Sequence, residues 1–490
     1  MTDTPKTGKD LARKPRGFPD RREALLRAEA EIITRVTEVY ARWGFEALDT
    51  GAFEYVDALG KFLPDTDRPN EGVFALTDDD EQWIALRYDL TAPLARFAAE
   101  NWQTLAKPFR RYAFGPVWRN EKPGPGRFRQ FTQCDADTVG APGAHADAEM
   151  IAMAAEAIRA AGAAPGEFVV RVNTRRLLDG VLSEAGVSDT GARLTVLRAL
   201  DKLDRLGLEG VEALLGEGRL DESGDFTKGA GLDADARARL LAFAEAGAET
   251  RAETLANLEK AAGDSEAGKA GLDELTAIAS GLAAFGVPES DVLIDPTVVR
   301  GLEYYTGAVF EAELLTETKD EDGNPVRIGS VGGGGRYDDL IARFTGQSVP
   351  ATGFSVGVSR LVTAFALQED LTTRTGPIVV LNLNREDPSE ALKLASELRA
   401  AGLRAEPYMG GSGMRPQMKY ADRRGAPAVV IVGEDEIAKG VVTIKDLKAG
   451  AAEAAAIKSN EEYRAARPGQ FEAPRVEMIA RLKEIVEAGE

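Results

Sequence analysis

Arg300-Gly301-Leu302-Glu303-Tyr304-Tyr305-Thr306-Gly307 places a guanidinium, a carboxylate and two phenols within eight residues, between glycines. As a strand, this octet could aim a cation at a phosphate and a phenol at a small polar substrate. Taken alone, it could equally be an aromatic strand with an exposed arginine. Three other stretches bear on the choice. Val117-Trp118-Arg119-Asn120-Glu121 runs on through Arg127 to Gln133, Gly332-Gly333-Gly334-Gly335 precedes Arg336-Tyr337-Asp338, and Gly353 leads to Arg360. The glycine quartet is no P-loop, because Arg336-Tyr337 follows where Lys-Ser/Thr would stand. Glycines so placed let backbone approach a substrate closely.

The elements that must position these groups follow from periodicity. Asp20 with Glu23 three residues on reads as a capping box. Leu25, Ile32, Val36, Val39 and Trp43 then recur at helical spacing, so the pattern predicts an amphipathic helix over 21–43, ended by Gly44. Val73–Thr77 and Trp83–Arg87 flank Asp78-Asp79-Asp80 as a hairpin. Arg110–Trp118 and Phe128–Gln133 flank Lys122-Pro123-Gly124-Pro125-Gly126 as a second hairpin with a long loop. Asp147–Ala161 reads as a helix and Phe168–Asn173 as a strand. From 178 to 290 the chain is rich in Ala, Leu, Glu and Gly with helical periodicity, which reads as a helical insert. Strand character returns at Val292–Phe310 and Ile328–Tyr337, and a helix starts near Gly357. After a polar linker at 369–375, strands at Ile378–Asn382, Ala428–Val432 and Val441–Lys445 alternate with helices at Ser389–Ala401 and Met414–Arg424. That alternation predicts a compact α/β domain. Residues 1–18 read as a flexible arm.

Composition narrows the class. At 44% hydrophobic and 29% charged, the 490 residues suit an ordinary globular protein of roughly two to four domains. No run approaches the roughly 18 apolar residues of a membrane span. The basic start, Lys6 to Arg16, lacks the apolar centre of a secretory signal. A single cysteine, Cys134, precludes a disulfide within the chain and suits a reducing cytoplasm. With one histidine, His145, a Cys/His zinc site is not expected. Cys134 reads as packing, His145 as surface, and Asp320–Asn324 as a turn too short for a calcium loop. A net charge of −20 argues against indiscriminate nucleic-acid binding but leaves room for a local basic patch. Met414–Gly425 offers one: Arg415, Lys419, Arg423 and Arg424 lie beside Tyr420, which could stack a base. The same stretch is also what a solvated amphipathic helix looks like.

On the four glycine- and arginine-bearing stretches the chain resembles the histidyl-tRNA synthetases, a family of class II aminoacyl-tRNA synthetases, over nearly its whole length. The resemblance implies an α+β fold. An antiparallel-sheet catalytic core would comprise 19–177 and 291–368, and 178–290 would be a helical insertion that clamps the acceptor arm. A C-terminal α/β anticodon-binding domain would occupy 376–490. The implied activity is ATP-dependent ligation of L-histidine to histidine tRNA through histidyl-adenylate. It implies Mg²⁺ with the ATP, no tightly bound prosthetic group and no metal site. The partners would be histidine tRNA, L-histidine, ATP and a second copy of the chain, in the cytoplasm and with no membrane.

Amino-acid activation is attack by an already ionised carboxylate on the α-phosphate of ATP, so the protein's work is holding two anions and stabilising phosphate charge. By resemblance, Arg119 and Arg300 grip the α-phosphate, Arg127 and Arg360 hold the γ-phosphate, and Glu121 reads the adenine amino group. Asp137 and Tyr305 would take the two imidazole nitrogens, with Tyr304 lining the pocket. Asp89, Thr91 and Gln133 would surround the α-amino group and carboxylate. Asn120 and Lys122, in the 119–129 loop, would meet the acceptor end of the tRNA; Arg415, Lys419 and Arg423 would meet its anticodon.

The departures from the family pattern carry their own expectations. Gly51 stands where the dimer strand usually has proline. Ser359 replaces an acid before Arg360, and Asp137 stands where many relatives have the longer Glu. Asn120 replaces the loop histidine of many bacterial relatives, and Pro123-Gly124-Pro125-Gly126 offers few donors to a base edge. Most histidine tRNAs carry an extra 5′ guanine read by this loop, and some bacterial lineages lack it. The loop predicts an enzyme of that second kind. Two rival readings share the core: a regulatory subunit of ATP phosphoribosyltransferase, which typically lacks the C-terminal domain, and an RNA-binding module without catalysis.

Overall fold

The apolar residues Ile32, Val36, Val39 and Tyr40 all fall on the buried face of helix α1, Glu23–Arg42. The helix begins without the expected capping box. Arg22 occupies the N-cap position with no side-chain bond. Asp20 instead faces Lys14 at 3.5 Å, and Arg21 reaches along the helix to Glu29. The computed structural model describes residues 11–59, 72–124, 126–220, 224–299, 305–319, 325–368, 376–384, 386–454 and 466–488. They fall into two units, divided between 368 and 369.

In the first unit, α1 is followed by β1 (Glu46–Ala47), β2 (Phe53–Tyr55), α2 (Val56–Leu59), β3 (Ala75–Thr77), β4 (Trp83–Leu86) and α3 (Thr91–Asn101). Next come β5 (Phe109–Trp118), β6 (Gln130–Val139), α4 (Ala144–Ala161), β7 (Phe168–Thr174) and α5 (Arg175–Glu184). The expected helical insert holds α6 (Thr190–Leu200), α7 (Leu203–Leu215), α8 (Ala234–Ala244), α9 (Arg251–Ala261) and α10 (Glu266–Ala284). It also holds a hairpin that helical periodicity did not suggest, β8 (Gly218–Leu220) with β9 (Phe226–Lys228). Strands β10 (Val292–Ile294), β11 (Ala308–Lys319) and β12 (Pro325–Arg336), helix α11 (Ala342–Thr345), strand β13 (Ala351–Val356) and helix α12 (Val358–Gln368) complete the unit.

One sheet of eight strands, in the order β1-β5-β6-β13-β12-β11-β7-β10, frames the site. Its inner pairings are antiparallel; only β1 with β5 and β10 with β7 run parallel. Alternation along β6 decides which side chains reach which face. Cys134 and Ala136 join the core that also contains residues of α1, α4 and α12. Gln133, Asp135 and Asp137 therefore point to the opposite face. The Asp78 hairpin forms as expected, with Asp78 Oδ1 accepting the Asp80 and Gln82 backbone N–H groups. The 1–18 arm is tied down where it ends: Gly17 O accepts the Arg129 N–H at 2.9 Å, and the Phe18 ring meets Phe74 edge-on.

The second unit is a five-stranded sheet in the order β15-β14-β16-β17-β18. Its elements are β14 (Ile378–Val380), α13 (Ser389–Ala400), β15 (Ala405–Pro407), α14 (Met414–Arg423), β16 (Ala428–Ile431) and α15 (Glu434–Lys439). They continue with β17 (Val441–Asp446), α16 (Leu447–Ala454), β18 (Gln470–Pro474) and α17 (Met478–Glu487). Alternate residues of β14 and β16 bury into two separate cores. Both faces of the sheet are thus covered, which accounts for the unbroken runs of apolar residues in those strands.

Candidate active site

Beside the sheet lies a cavity of about 450 Å³. Arg119, at the end of β5, is fixed there before any ligand arrives. Its guanidinium carbon lies 4.3 Å from the centre of the Tyr88 ring and 5.1 Å from that of Phe131, and Nε donates to the Tyr88 carbonyl at 3.3 Å. A cation held between two rings keeps its charge and loses its rotamer freedom. Arg360 enters from the first turn of α12, its Nη1 donating to the Ser330 carbonyl at 2.7 Å. Glu121 accepts from the Tyr88 hydroxyl at 3.0 Å and pairs with Arg127. Burial works against the Glu121 carboxylate, but Arg127, Tyr88 and Arg119 outweigh it and hold its pKa below the ordinary value.

The cavity continues along the sheet past Asp89, Thr91, Gln133, Asp135, Ser355 and Tyr305. Asp89 Oδ1 accepts the N–H groups of Thr91 and Ala92, so this carboxylate also anchors the start of α3. Gln133 Nε2 donates to Ser355 Oγ at 2.8 Å. Asp135 is buried within the wall, and burial pushes its pKa up to about 7 against the pull of Arg111. The glycine quartet does two jobs here. A Cβ on Gly335 would come within 2.7 Å of the Tyr305 ring, so its absence lets that ring settle on β12. A Cβ on Gly333 would meet nothing closer than 3.7 Å, because this residue faces the open cavity.

Of the residues singled out in the sequence, Asp89, Thr91, Arg119, Glu121, Arg127, Gln133, Tyr305 and Arg360 line this one cavity. Arg300 and Tyr304 lie outside the described residues. Asp137 is not on the wall. It is 1% exposed, accepts from the Tyr337 hydroxyl and pairs with Arg111 at 2.8 Å. Burial raises its pKa, with Arg111 opposing. Two positions along the same face of β6, the wall carries Asp135 instead. Asn120 and Lys122 lie in the loop rather than in the cavity wall; Asn120 N–H bonds the Gly72 carbonyl at 3.0 Å, and Lys122 is exposed.

In the second unit Arg415, Lys419 and Arg423 are exposed on α14. Tyr420 is engaged within its own unit. Its hydroxyl donates to Glu406 at 2.9 Å and its ring meets Tyr408 edge-on, with centroids 5.2 Å apart.

Sequence reasoning passed over Tyr88, Arg111, Asp135 and Ser355. A signal existed for Asp135: Gln133, Asp135 and Asp137 alternate with Cys134 and Ala136, which puts three polar groups on one strand face. Arg111 carried no such signal, because it is as buried as any apolar residue of the sheet.

An antiparallel sheet holding a ring-stacked arginine and further arginines along one polar cavity defines the catalytic core of a class II aminoacyl-tRNA synthetase. Comparison with known proteins narrows this. Residues 17–361 match the family model for histidyl-tRNA synthetase, and 377–463 that for an anticodon binding domain. The chain is 61% identical over 478 residues to a histidine–tRNA ligase of Caulobacter vibrioides, covering 97% of each chain. It is 54% identical over 490 residues to that of Brucella ovis, covering 99% of this chain and 97% of the relative. Among solved structures, histidyl-tRNA synthetase from Nostoc sp. PCC 7120 superposes with a TM-score of 0.70 at 26% identity, over 96% of this chain and 99% of that one. The chain belongs to the histidyl-tRNA synthetase family.

Proposed function

We propose that this protein joins L-histidine to histidine tRNA in two steps. The histidine carboxylate attacks the α-phosphorus of ATP, a C–O–P bond forms, the bond to the β-phosphate breaks and diphosphate leaves. A ribose hydroxyl at the 3′ end of the tRNA then attacks the carbonyl of the adenylate, and AMP leaves. The observation that carries this reading is the cavity itself. Its cationic end, Arg119 and Arg360 with Arg127, suits a triphosphate, and its acceptor-rich end suits a small amino acid.

Arg119 stabilises charge on the α-phosphate, with Arg300 as its counterpart by resemblance. Because Arg119 is preorganised, it need not reorganise as that charge develops. Arg127 and Arg360 hold the γ-phosphate, and Glu121 takes the adenine amino group, which requires it to part from Arg127. Asp89, Thr91 and Gln133 surround the α-amino group. Tyr305 and a carboxylate of β6 receive the imidazole. Mg²⁺ carried in with the ATP would supply further charge neutralisation beside these arginines. Among the described residues no group of three or more His, Cys, Asp or Glu side chains is placed to hold a metal ion.

We further infer that 19–177 with 291–368 form the catalytic core, that 178–290 engages the acceptor arm, and that 376–490 reads the anticodon through the exposed cations of α14. A second copy of the chain is supported by the small sheet β2-β4-β3. There Phe53, Tyr55 and Leu76 share a face with Ile84 and Leu86 and remain about half exposed, an apolar patch of the kind that a homodimer covers. No helix among the described residues is long and apolar enough to cross a membrane, and the work of such a ligase is cytoplasmic.

ATP–diphosphate exchange run with each of the twenty amino acids tests the proposal. Exchange dependent on histidine alone, followed by histidine attachment to its tRNA, is expected. A folded protein with no exchange for any amino acid would favour the noncatalytic rivals.

A further inference from the structure

We propose that Glu29 of α1 is a positioning residue for the phosphate end of the site. It acts through Thr132, which links the strand carrying Phe131 to the helix carrying Arg360. The proposal rests on the ATP-dependent reading above and adds to it a residue that touches no substrate.

Glu29 is a buried carboxylate on the core-facing side of α1. Such a group costs stability unless it is paired and hydrogen-bonded, and Glu29 is both. Arg21 pairs with Oε2, and the Thr132 hydroxyl donates to Oε1. The pair with Arg21 stays within the start of the chain. The bond to Thr132 is different, because it ties α1 to β6 across 103 residues of sequence.

Thr132 is itself held a second time. Strand β13 pairs with β6 only as far as Val356 opposite Cys134. Beyond that point the Thr132 N–H donates to Ser359 Oγ at 2.9 Å, so a backbone donor past the end of the pairing finds a side chain of α12. Ser359 immediately precedes Arg360, whose Nη1 is fixed on the Ser330 carbonyl. Phe131 immediately precedes Thr132, and its ring lies 5.1 Å from the Arg119 guanidinium carbon. One threonine thus sets the spacing between the supports of two phosphate-binding arginines. Gln133, on its other side, has a separate anchor in Ser355. Loss of the Glu29 bond should therefore be felt at the phosphates and not at the amino-acid end.

Packing alone does not hold this wall. On the far side of Ser359 and Phe128 lies a second cavity of about 140 Å³, lined also by Arg21, Glu29 and Val362. Ser359 and Phe128 line both cavities. A side chain between two cavities lacks contact atoms on both faces, so the hydrogen bonds from Glu29 to Thr132 and from Thr132 to Ser359 are what keep it in place.

The test is ATP–diphosphate exchange on the full-length protein, with the KM for ATP and the KM for histidine measured separately. The variants are Glu29→Ala, Glu29→Gln, Thr132→Val, and Glu29→Ala combined with Thr132→Val. Thr132→Val removes the hydroxyl and keeps the shape. Glu29→Ala and Thr132→Val should each raise the KM for ATP about tenfold, and that for histidine less than about twofold, as expected for loss of one hydrogen bond to a charged group. Glu29→Gln keeps an acceptor for the Thr132 hydroxyl and should recover most of the loss seen in Glu29→Ala. The double variant should be no worse than either single one, because both act through the same bond. A folded Thr132→Val with the wild-type KM for ATP, equal rises for both substrates, or effects that simply multiply in the double variant overturn the assignment. If Glu29→Ala does not fold, Thr132→Val and Glu29→Gln decide it by the same ATP-selective criterion. A wild type with no ATP-dependent exchange overturns the function proposed above, and this assignment with it; unaffected variants of an exchanging wild type overturn this assignment alone.

Discussion

Arg111 and Asp137 pair at 2.8 Å with side chains 0% and 2% exposed, on adjacent strands at directly opposed positions. Neither can find water if the other is lost. The pair is one link in a longer chain of contacts. Asp147 in the first turn of α4 holds Arg336 at 2.8 Å, and the next residue, Tyr337, donates to Asp137. The Arg336-Tyr337 pair that follows the glycine quartet is thereby anchored. Asp137→Ala is expected to cost roughly 3–5 kcal/mol, the usual result of stranding a buried charge. The check is the urea midpoint of unfolding, compared with enzyme activity at low denaturant. An unchanged midpoint with a large, histidine-selective rise in KM would place Asp137 on the substrate.

Arg119→Lys should fold normally and lower the rate of adenylation by on the order of 10²–10³, the loss seen when one preorganised donor to a developing charge is removed. Lysine retains the charge but neither fits the slot between Tyr88 and Phe131 as a plane nor offers a fork to phosphate. Single-turnover formation of adenylate at saturating ATP and histidine reads the effect. Near-normal turnover would mean that charge alone suffices at this position.

Asp135 links the site to pH. Its pKa in the empty site is raised by burial to about 7. A donor of the bound histidine reaching Asp135 would favour the ionised form and lower the pKa in the complex. Histidine affinity is then full above pH 7 and declines as pH falls through that value, by up to about tenfold per unit. The ring of free histidine titrates near 6.5 and adds its own limb. The profile of kcat/KM for histidine should therefore show both limbs in the wild type and only the ligand's in Asp135→Asn. Identical profiles would exclude ionised Asp135 from binding. The sign for stability is opposite: ionising a carboxylate whose folded pKa is raised costs stability, and the cost grows from the ordinary carboxylate range up to about pH 7.

Much of this was legible in the residues. The hairpins announced themselves through Asp78 and the Pro-Gly run, and the long helix through Ile32, Val36 and Val39. Most of the cavity's polar groups could be named because resemblance fixes residues at set offsets from Arg119 and from the glycines. What escaped was set by tertiary contacts. Asp20 looks like an N-cap, yet Lys14 and Arg21 compete for the local carboxylates and the helix starts later. Asp135 and Asp137 have the same residue type on the same strand face, and only Gly353, Tyr337 and Arg111 seal one of them away. Strand β18 and helix α17 lacked a long enough periodic run to stand out.

The glycine quartet separates packing from access. Gly333→Ala should leave stability near that of the wild type, because the added methyl points into open cavity. It should raise the KM for a substrate by occupying that space. Gly334→Ala should do the reverse, since its Cβ would press on the Phe310 ring at 2.5 Å and on the backbone of β13, and overpacking of that kind costs typically 1–3 kcal/mol. Thermal unfolding and exchange kinetics on the two variants give the comparison. Equal destabilisation by both would show that Gly333 is also a packing position.

The loop between β5 and β6 carries the remaining expectation, which concerns the tRNA. Its backbone is shaped by two isolated bridges, Gly72 with Asn120 and Gly124 with Arg127. Its long side chains are largely committed: Arg127 pairs with Glu121, and Arg129 Nε donates to the Glu121 carbonyl at 2.9 Å. Lys122 is the exposed cation left to meet a nucleic acid, and a lysine reads phosphate charge better than a base edge. Reading an extra 5′ guanine calls for a donor fork toward its O6 and N7 atoms. The loop therefore favours a tRNA identified without that base. Two transcripts identical except for the 5′ guanine should be aminoacylated with kcat/KM within a few-fold of each other, and Lys122→Ala should weaken both equally. A tenfold or greater loss on removing the guanine, about 1.4 kcal/mol of transition-state binding, would show that the loop still depends on it.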